Sequence, residues 1–493
     1  MTKAADKNNY FSTLLATSHV DNGRATYEVL IREYNENEYI NVKVAIAGPV
    51  DAGKSSFLSV LTSGKLDDGR GSARILIANH THEVKTGRTS SISQHILGFD
   101  ARGSEINYSS ISGKRSWPEI VRSSAKVVSF FDLCGHEKYL RTTILGLTSS
   151  QPDLCLIIVG GNKGVRNDQS ATFRERGSRD ERKRNFDNMT REHIFLCVSL
   201  NIPFAVIVTK IDVIREKGLE DVYANTIKDI QAIIKCPYVR RHPIKVETTD
   251  DVLICARQIY TGSVAPIFTI SNVTGEGLDQ VRTFLNVMKK GQGHSSDGNV
   301  EFHVDASWSV PGVGTVVGGH LLKGSIKVND KLWLGPNGNN YDQVSVRSIH
   351  CKRVPLQQVS CGSYVCLALK KVDRSQVRRG TVVVSAQSQH KYVRKFVANV
   401  KVMRSHATTI RLGYQPLVHV SSVRQSATLI GIEDKVNSRD LSEVSEDKVL
   451  RTGDTATVTF KFCFRPEFVT EGMKVLLVEG KTKVVGVVKK VLE

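Results

Sequence analysis

The segment Gly48–Ser55, GPVDAGKS, constrains this 493-residue chain more than any other. It fits G-x-x-x-x-G-K-[ST]. It directly follows the apolar run EYINVKVAIAG and precedes a helical pattern, SFLSVLTSG. Strand, glycine loop and helix in that order make a phosphate cradle, because glycine lets backbone N–H groups wrap around phosphate oxygens. The helix N-terminus adds a favourable dipole. Lys54 reaches the β- and γ-phosphates, and Ser55 is a Mg²⁺ ligand candidate. The candidate phosphate set is therefore Gly48, Val50, Asp51, Ala52, Gly53, Lys54, Ser55 and Ser56. A chance glycine-rich turn would lack the flanking strand and helix.

Apolar runs punctuated by turn residues and helical stretches recur downstream: AKVVSFFD, LCLIIVG, PFAVIVTK and PIFTIS. Continuous Val/Ile/Leu/Phe runs alternating with helices predict a parallel sheet buried on both faces. An α/β domain over 27–290 follows a polar tail at 1–26, expected to be flexible. GQGHSSDGN supplies a linker at 291–298. Beyond it, short alternating strands with turn signals predict an all-β barrel at 299–390 and a second at 391–493. Two stretches read as solvated insertions: the charged segment 166–187, with six arginines, and a polar, acidic one near 433–450.

The base is read from TKID. A carboxylate at Asp212 can accept two hydrogen bonds from guanine N1–H and N2–H₂, a pair that adenine cannot supply. The Lys210 stem can cover the ring face, and Thr209 opens the element. SNVTGEGL places Ser271, Asn272 and Val273 after a strand, where backbone N–H groups can meet the guanine carbonyl. Between these elements, FFDLCGHEKYL contains D-x-x-G. Asp132 is placed to hold Mg²⁺ through water, the Gly135 N–H to sense the γ-phosphate, and His136 to orient an attacking water. In KTGRTSSIS, Thr89 is the switch hydroxyl for Mg²⁺, with Ser90 and Ser91 as alternatives.

Formal net charge is +19. From Asn299 to Ile430 there are 18 Lys/Arg against 5 Asp/Glu, whereas Gly431–Glu493 has 11 of each. A regional excess of that size favours a polyanionic partner such as nucleic acid. Nine cysteines, widely spaced and without a CxxC pair, support neither a zinc site nor a disulfide framework and point to reduced thiols in the cytoplasm. No run approaches 18 apolar residues, and the N-terminus lacks a signal-peptide core, so no membrane association is expected.

The ordered set GPVDAGKS, GRTSS, DLCGHEKYL, TKID and SNVTGEGL resembles translational GTPases, and most of all the GTP-binding protein 1 family, relatives of elongation factor Tu. LDDGRGSAR (Leu66 to Arg74), HILGFD, SVPGVGTVVGGHLLKG and RTGDTATVTFKF match that family as well, and the likeness spans about residues 27–493. It implies an α/β P-loop GTPase domain followed by two β-barrels. It implies Mg²⁺-dependent hydrolysis of GTP to GDP, with His136, Lys54 and Thr89 in the catalytic set. Mg²⁺ would be held by Ser55, Thr89 and Asp132, Asp51 would sit against the β/γ bridge, and Val50 would form an apolar gate beside His136. Thr209 stands where the general G-protein pattern has Asn, which leaves that residue's loop-tethering role in question.

The same resemblance implies a monomer whose GTP form binds aminoacyl-tRNA and the ribosome, in elongation or ribosome rescue. A reading from another class is a regulatory GTPase that recruits RNA-decay proteins without touching tRNA.

Overall fold

The computed structural model describes residues 10–20, 24–33, 39–77, 83, 92–110, 113–135, 140–162, 188–291, 298–388, 392–403, 409–436, 448–479 and 481–492. The chain divides into two compact units, Met1–Gly146 with Gln151–Gly291, and Leu147–Ser150 with Gln292–Glu493.

The first unit is built on one sheet. A separate two-stranded sheet, β1 (Tyr10–Val20) with β2 (Arg24–Glu33), precedes it, and the strands of the main sheet are β3 (Ile40–Ala47), β4 (Ser93–Phe99), β5 (Lys126–Asp132), β6 (Leu154–Gly160), β7 (Phe204–Thr209), β8 (His242–Lys245) and β9 (Val264–Thr269). The order across the sheet is β8-β9-β7-β6-β3-β5-β4, extended at the edge by Glu105–Ile106. All contacts from β8 to β5 are parallel, and β4 runs antiparallel to β5. Every residue of β6 and β7 is buried, which explains why their sequences are apolar without alternation. Helices pack on the sheet, and the core joins Val42, Val44 and Ile46 of β3 to Phe57, Leu58 and Leu61 of the first helix, α1 (Lys54–Ser63).

The register brings the functional loops together. Ile46 lies opposite Asp132, Ala47 opposite Ile157, Thr209 opposite Gly160, and Val208 opposite Thr269. The carboxyl ends of β3, β5, β7 and β9 thus open onto one edge. β3 is flanked by β5 on one side and β6 on the other, so the chain order reverses there, which is where open α/β sheets hold ligands.

One expectation is corrected. The polar N-terminal stretch is not loose throughout: Tyr10–Val20 (β1) is a strand paired antiparallel with Arg24–Glu33 (β2), with Leu14 opposite Val29. The Ser/Thr-rich strand has a weak apolar pattern of its own, and its partner supplies the backbone hydrogen bonds. The hairpin is tied to the unit by Thr13 Oγ1 donating to the Arg102 carbonyl at 2.7 Å and by the Arg32 guanidinium reaching the Asp100 carbonyl at 3.1 Å.

The second unit contains two closed six-stranded barrels, as expected of the second half of the chain. The first closes through Glu301–Val310, Gly314–Lys323, Tyr364–Lys370, Asn340–Cys351, Lys331–Asn337 and Val382–Val384. The second closes through Lys395–Val402, Thr455–Phe462, Val423–Val436, Leu417–Val420, Lys474–Glu479 and Lys481–Leu492. Inward positions alternate along strands such as Lys395–Val402, where Phe396, Ala398, Val400 and Val402 face the core. The strand Val423–Val436 runs into the stretch read as a polar insertion, and Val449–Arg451 near its end pairs with Thr409–Arg411. Residues 437–447 lie outside the described residues, as do 166–187.

The joint between the barrels combines an apolar cluster, Val382 and Val384 against Phe468, with a polar network. Arg378 of the first forms a bidentate pair with Glu467 (3.1 and 2.7 Å), which also accepts from Gln425 at 2.8 Å. All nine cysteines are free. Among the described residues no helix is long and apolar enough to cross a membrane.

Candidate functional site

β3 ends at Ala47, and the loop to α1 is shaped by backbone that few residues adopt. Gly48 has φ 143° and Gly53 φ 85°. A Cβ on Gly48 would lie 2.2 Å from the Ile158 carbonyl oxygen, so only glycine fits against β6. Asp51 also holds a positive φ, 62°, a conformation costly for a residue with a side chain and found where surrounding contacts enforce it. The result is an open loop whose N–H groups lead into the N-terminus of α1, an arrangement that suits anionic phosphate.

Lys54 is 7% exposed and its Nζ donates to the Pro49 carbonyl at 2.8 Å, spanning the mouth of this loop. Gly135, at the end of the D-x-x-G turn, packs directly on it: a Cβ there would meet Lys54 Nζ at 2.1 Å and the Gly48 carbonyl at 2.7 Å. Ser55 Oγ donates to Asp132 Oδ2 at 2.8 Å, so the loop hydroxyl and the strand-end carboxylate, from residues 77 apart, share one place. Burial, and then the charge of Asp132, push the Cys134 thiol up to about 12, so it stays protonated beside that carboxylate.

The base-side loops join the same edge. Thr209 Oγ1 donates to the Ala52 carbonyl at 2.7 Å. The tether left in question by the replacement of Asn is therefore made, by a shorter side chain. Lys210 adopts φ 66° and its Nζ donates to the Asp51 carbonyl at 2.8 Å, so the lysine anchors the Gly48–Ser55 loop. Ser271 Oγ donates to Asp212 Oδ1 at 2.6 Å and accepts from the N–H groups of Val273 and Thr274. Asp212 is thus fixed by Ser271 through one of its two oxygens. Arg215 and Glu276 pair at 2.5 and 2.7 Å across the outside of the two loops. Thr89 and His136 lie outside the described residues.

Sequence reasoning missed His193. It sits within the helix Asn188–Ser199, fully buried, with neither ring nitrogen hydrogen-bonded among the described residues. Burial, and then the positive charge of Lys54, lower its pKa to about 3, so the ring is neutral and adds no charge beside the phosphate-facing lysine. The only sequence signal is a lone histidine in the helical run MTREHIFLCVSL, a pattern more common for a core residue.

A P-loop joined to a T-K-x-D turn, on this sheet and ahead of two barrels, defines a GTPase of the translation-factor type. The family model described as the elongation factor Tu GTP binding domain matches residues 39–291, and that of elongation factor Tu domain 2 matches residues 314–384. The chain is 40% identical over 483 residues to GTP-binding protein 1 of Xenopus laevis, covering 97% of this chain and 68% of the relative. It is 38% identical over 474 residues to GTP-binding protein 2 of Homo sapiens, covering 94% and 72%. The crystal structure of translation elongation factor SelB from Methanococcus maripaludis, in complex with the GTP analogue GppNHp, has the same fold: TM-score 0.60 at 19% identity, covering 92% of this chain and 80% of that one. The chain belongs to the elongation factor Tu-type GTPases, in the family of GTP-binding proteins 1 and 2. It is a GTP-hydrolysing enzyme.

Proposed function

We propose that this GTPase carries aminoacyl-tRNA in its GTP form and releases it after hydrolysis stimulated by the ribosome. The observation that carries the reading is a cleft of about 630 Å³ beside the hairpin turn of SVPGVGTVVGG, lined in part by Val313, Thr315, Leu369, Arg347, Lys370 and Lys371. Arg347 Nη1 donates to the carbonyls of Gly312 (3.3 Å) and Val313 (2.9 Å), which holds the turn open beside it. The lining is mainly polar, with Arg347, Lys370 and Lys371 outnumbering Asp373, and cations gathered at one turn suit the phosphates of an RNA end. The excess of Lys/Arg over Asp/Glu between Asn299 and Ile430 extends the same preference over a larger surface.

Within the nucleotide site, the residues act mainly by position and charge. Backbone N–H groups from Val50 to Ser56 cradle the phosphates, and Lys54 takes up γ-phosphate charge. Asp212 selects guanine, and the Gly135 N–H senses the γ-phosphate. His136 orients the attacking water, and Thr89 orders its segment against the γ-phosphate. The oxygens Ser55 Oγ and Asp132 Oδ2, 2.8 Å apart, are hard donors of the kind Mg²⁺ prefers, and these two residues would hold it together with Thr89. Held there, Mg²⁺ would supply positive charge against the phosphates.

The test is binding of aminoacylated and deacylated tRNA to the purified protein, each with a non-hydrolysable GTP analogue and with GDP. The expected result is preference for aminoacylated tRNA in the GTP form only, weakening steeply with salt. Absence of binding in both states overturns the tRNA reading and leaves the GTPase assignment standing. His136→Ala tests the catalytic assignment separately: GTP still binds, and multiple-turnover hydrolysis falls.

A further inference from the structure

The stretch Leu66–Arg74 belongs to none of the loops above, yet it lies against one of them. The ten residues of α1 carry the chain about 15 Å from the phosphate loop, at ~1.5 Å per residue, and Gly64 ends the helix with φ 70°. The chain then passes the base-side loop, where the Asp67 N–H donates to the Asn272 carbonyl at 2.9 Å. A Cβ on Gly275 would lie 3.4 Å from Leu66 Cδ2, and one on Gly69 would lie 3.8 Å from Val273 Cγ2. The turn is fixed from within. Asp68 Oδ1 accepts from the N–H groups of Arg70 (2.9 Å) and Ser72 (3.1 Å), and Asp67 Oδ1 accepts from that of Ala73 at 2.9 Å.

Leu66 is nevertheless 49% exposed. A single exposed leucine needs no explanation by itself. This one is held beside Asn272 and Gly275, on the loop whose Ser271 donates to Asp212, and the flat ring of a base would cover it. We propose that Leu66 is a further nucleotide-binding residue, an apolar shelf for the guanine on the Val273 side, with the Gly69 turn buttressing Val273. This rests on the guanine reading of Asp212 and Ser271. The contact is the same for GDP, GTP and the transition state, because the base does not change during hydrolysis. It therefore sets nucleotide retention and KM and leaves kcat alone.

The experiment compares the full chain with Leu66→Ala and Leu66→Met, using release of radiolabelled GDP and steady-state GTP hydrolysis. L66A is expected to release GDP about fivefold faster and to raise KM by about the same factor, with kcat within about twofold, and L66M to restore both. Unchanged GDP release in L66A overturns the proposal. So does a loss of kcat together with a lowered melting temperature, which would make Leu66 a support of the fold. Asp212→Asn separates the underlying reading, because it should shift preference from GTP to xanthosine triphosphate. If D212N keeps its preference for GTP, the guanine assignment fails whatever Leu66 does.

Discussion

The hydroxyl of Thr209 donates to the carbonyl of Ala52 across 2.7 Å, tying the loop that reads the base to the loop that wraps the phosphates. Thr209 is fully buried, so the unpaired Ala52 carbonyl would have no ready substitute partner. Thr209→Val keeps the shape and removes the donor. A lost buried hydrogen bond of about 1–2 kcal/mol predicts GDP release faster by roughly tenfold, with Thr209→Ser close to the parent. Stopped-flow or filter-binding measurement of GDP release checks it.

Gly135 has no room for a methyl group. Gly135→Ala would press on Lys54 Nζ, which can move, and on the Gly48 carbonyl, which is held by the loop. The variant should still fold, and its hydrolysis should fall by about a hundredfold or more, since a displaced lysine no longer stabilises developing charge. Single-turnover hydrolysis at saturating GTP is the measurement.

His193 predicts a pH dependence. Its folded pKa is lowered to about 3 from 6.5 by burial and then by Lys54. Between those values the unfolded chain binds a proton that the folded chain refuses, so stability is lost as pH falls below about 6.5, at a slope near 1.4 kcal/mol per pH unit. His193→Leu removes this contribution. Urea melts at pH 7.5 and 5.5 should show a smaller loss in the variant than in the parent, and equal losses would refute the assignment.

At the barrel joint, Glu467 is 1% exposed and holds Arg378 and Gln425. Glu467→Ala leaves the guanidinium with no carboxylate at a largely buried place. The expected cost is about 2–3 kcal/mol, discounted because the Arg378 side chain is 20% exposed. Thermal unfolding of the full chain reads it, and a change below about 0.5 kcal/mol would mean that the joint is held by apolar packing.

Much of the site was legible in the sequence because local chemistry forced it. Gly48 and Gly53 adopt positive φ, and the segments β6 and β7 are apolar throughout because both faces are covered. Chain order then ran GPVDAGKS, DLCG, TKID and SNV, each at the end of a predicted strand. His193 escaped because a neutral buried histidine looks like any core residue until its neighbour Lys54 is known. The strand Tyr10–Val20 escaped because its Ser/Thr-rich pattern needs the pairing with Arg24–Glu33 to become a strand.

The sequence alone determined which backbone conformations the loops can adopt, which residues carry charge, and therefore that guanine nucleotide is bound. The tertiary structure alone decided who meets whom. Thr209 lies 157 residues from Ala52, and Ser55 lies 77 from Asp132; sheet register, not sequence spacing, brings each pair within 3 Å. The meeting of Asp67 with Asn272 is of the same kind. Local residues fix φ, ψ and charge, whereas distances across the chain are set by the packing of whole strands and helices, to which hundreds of residues contribute.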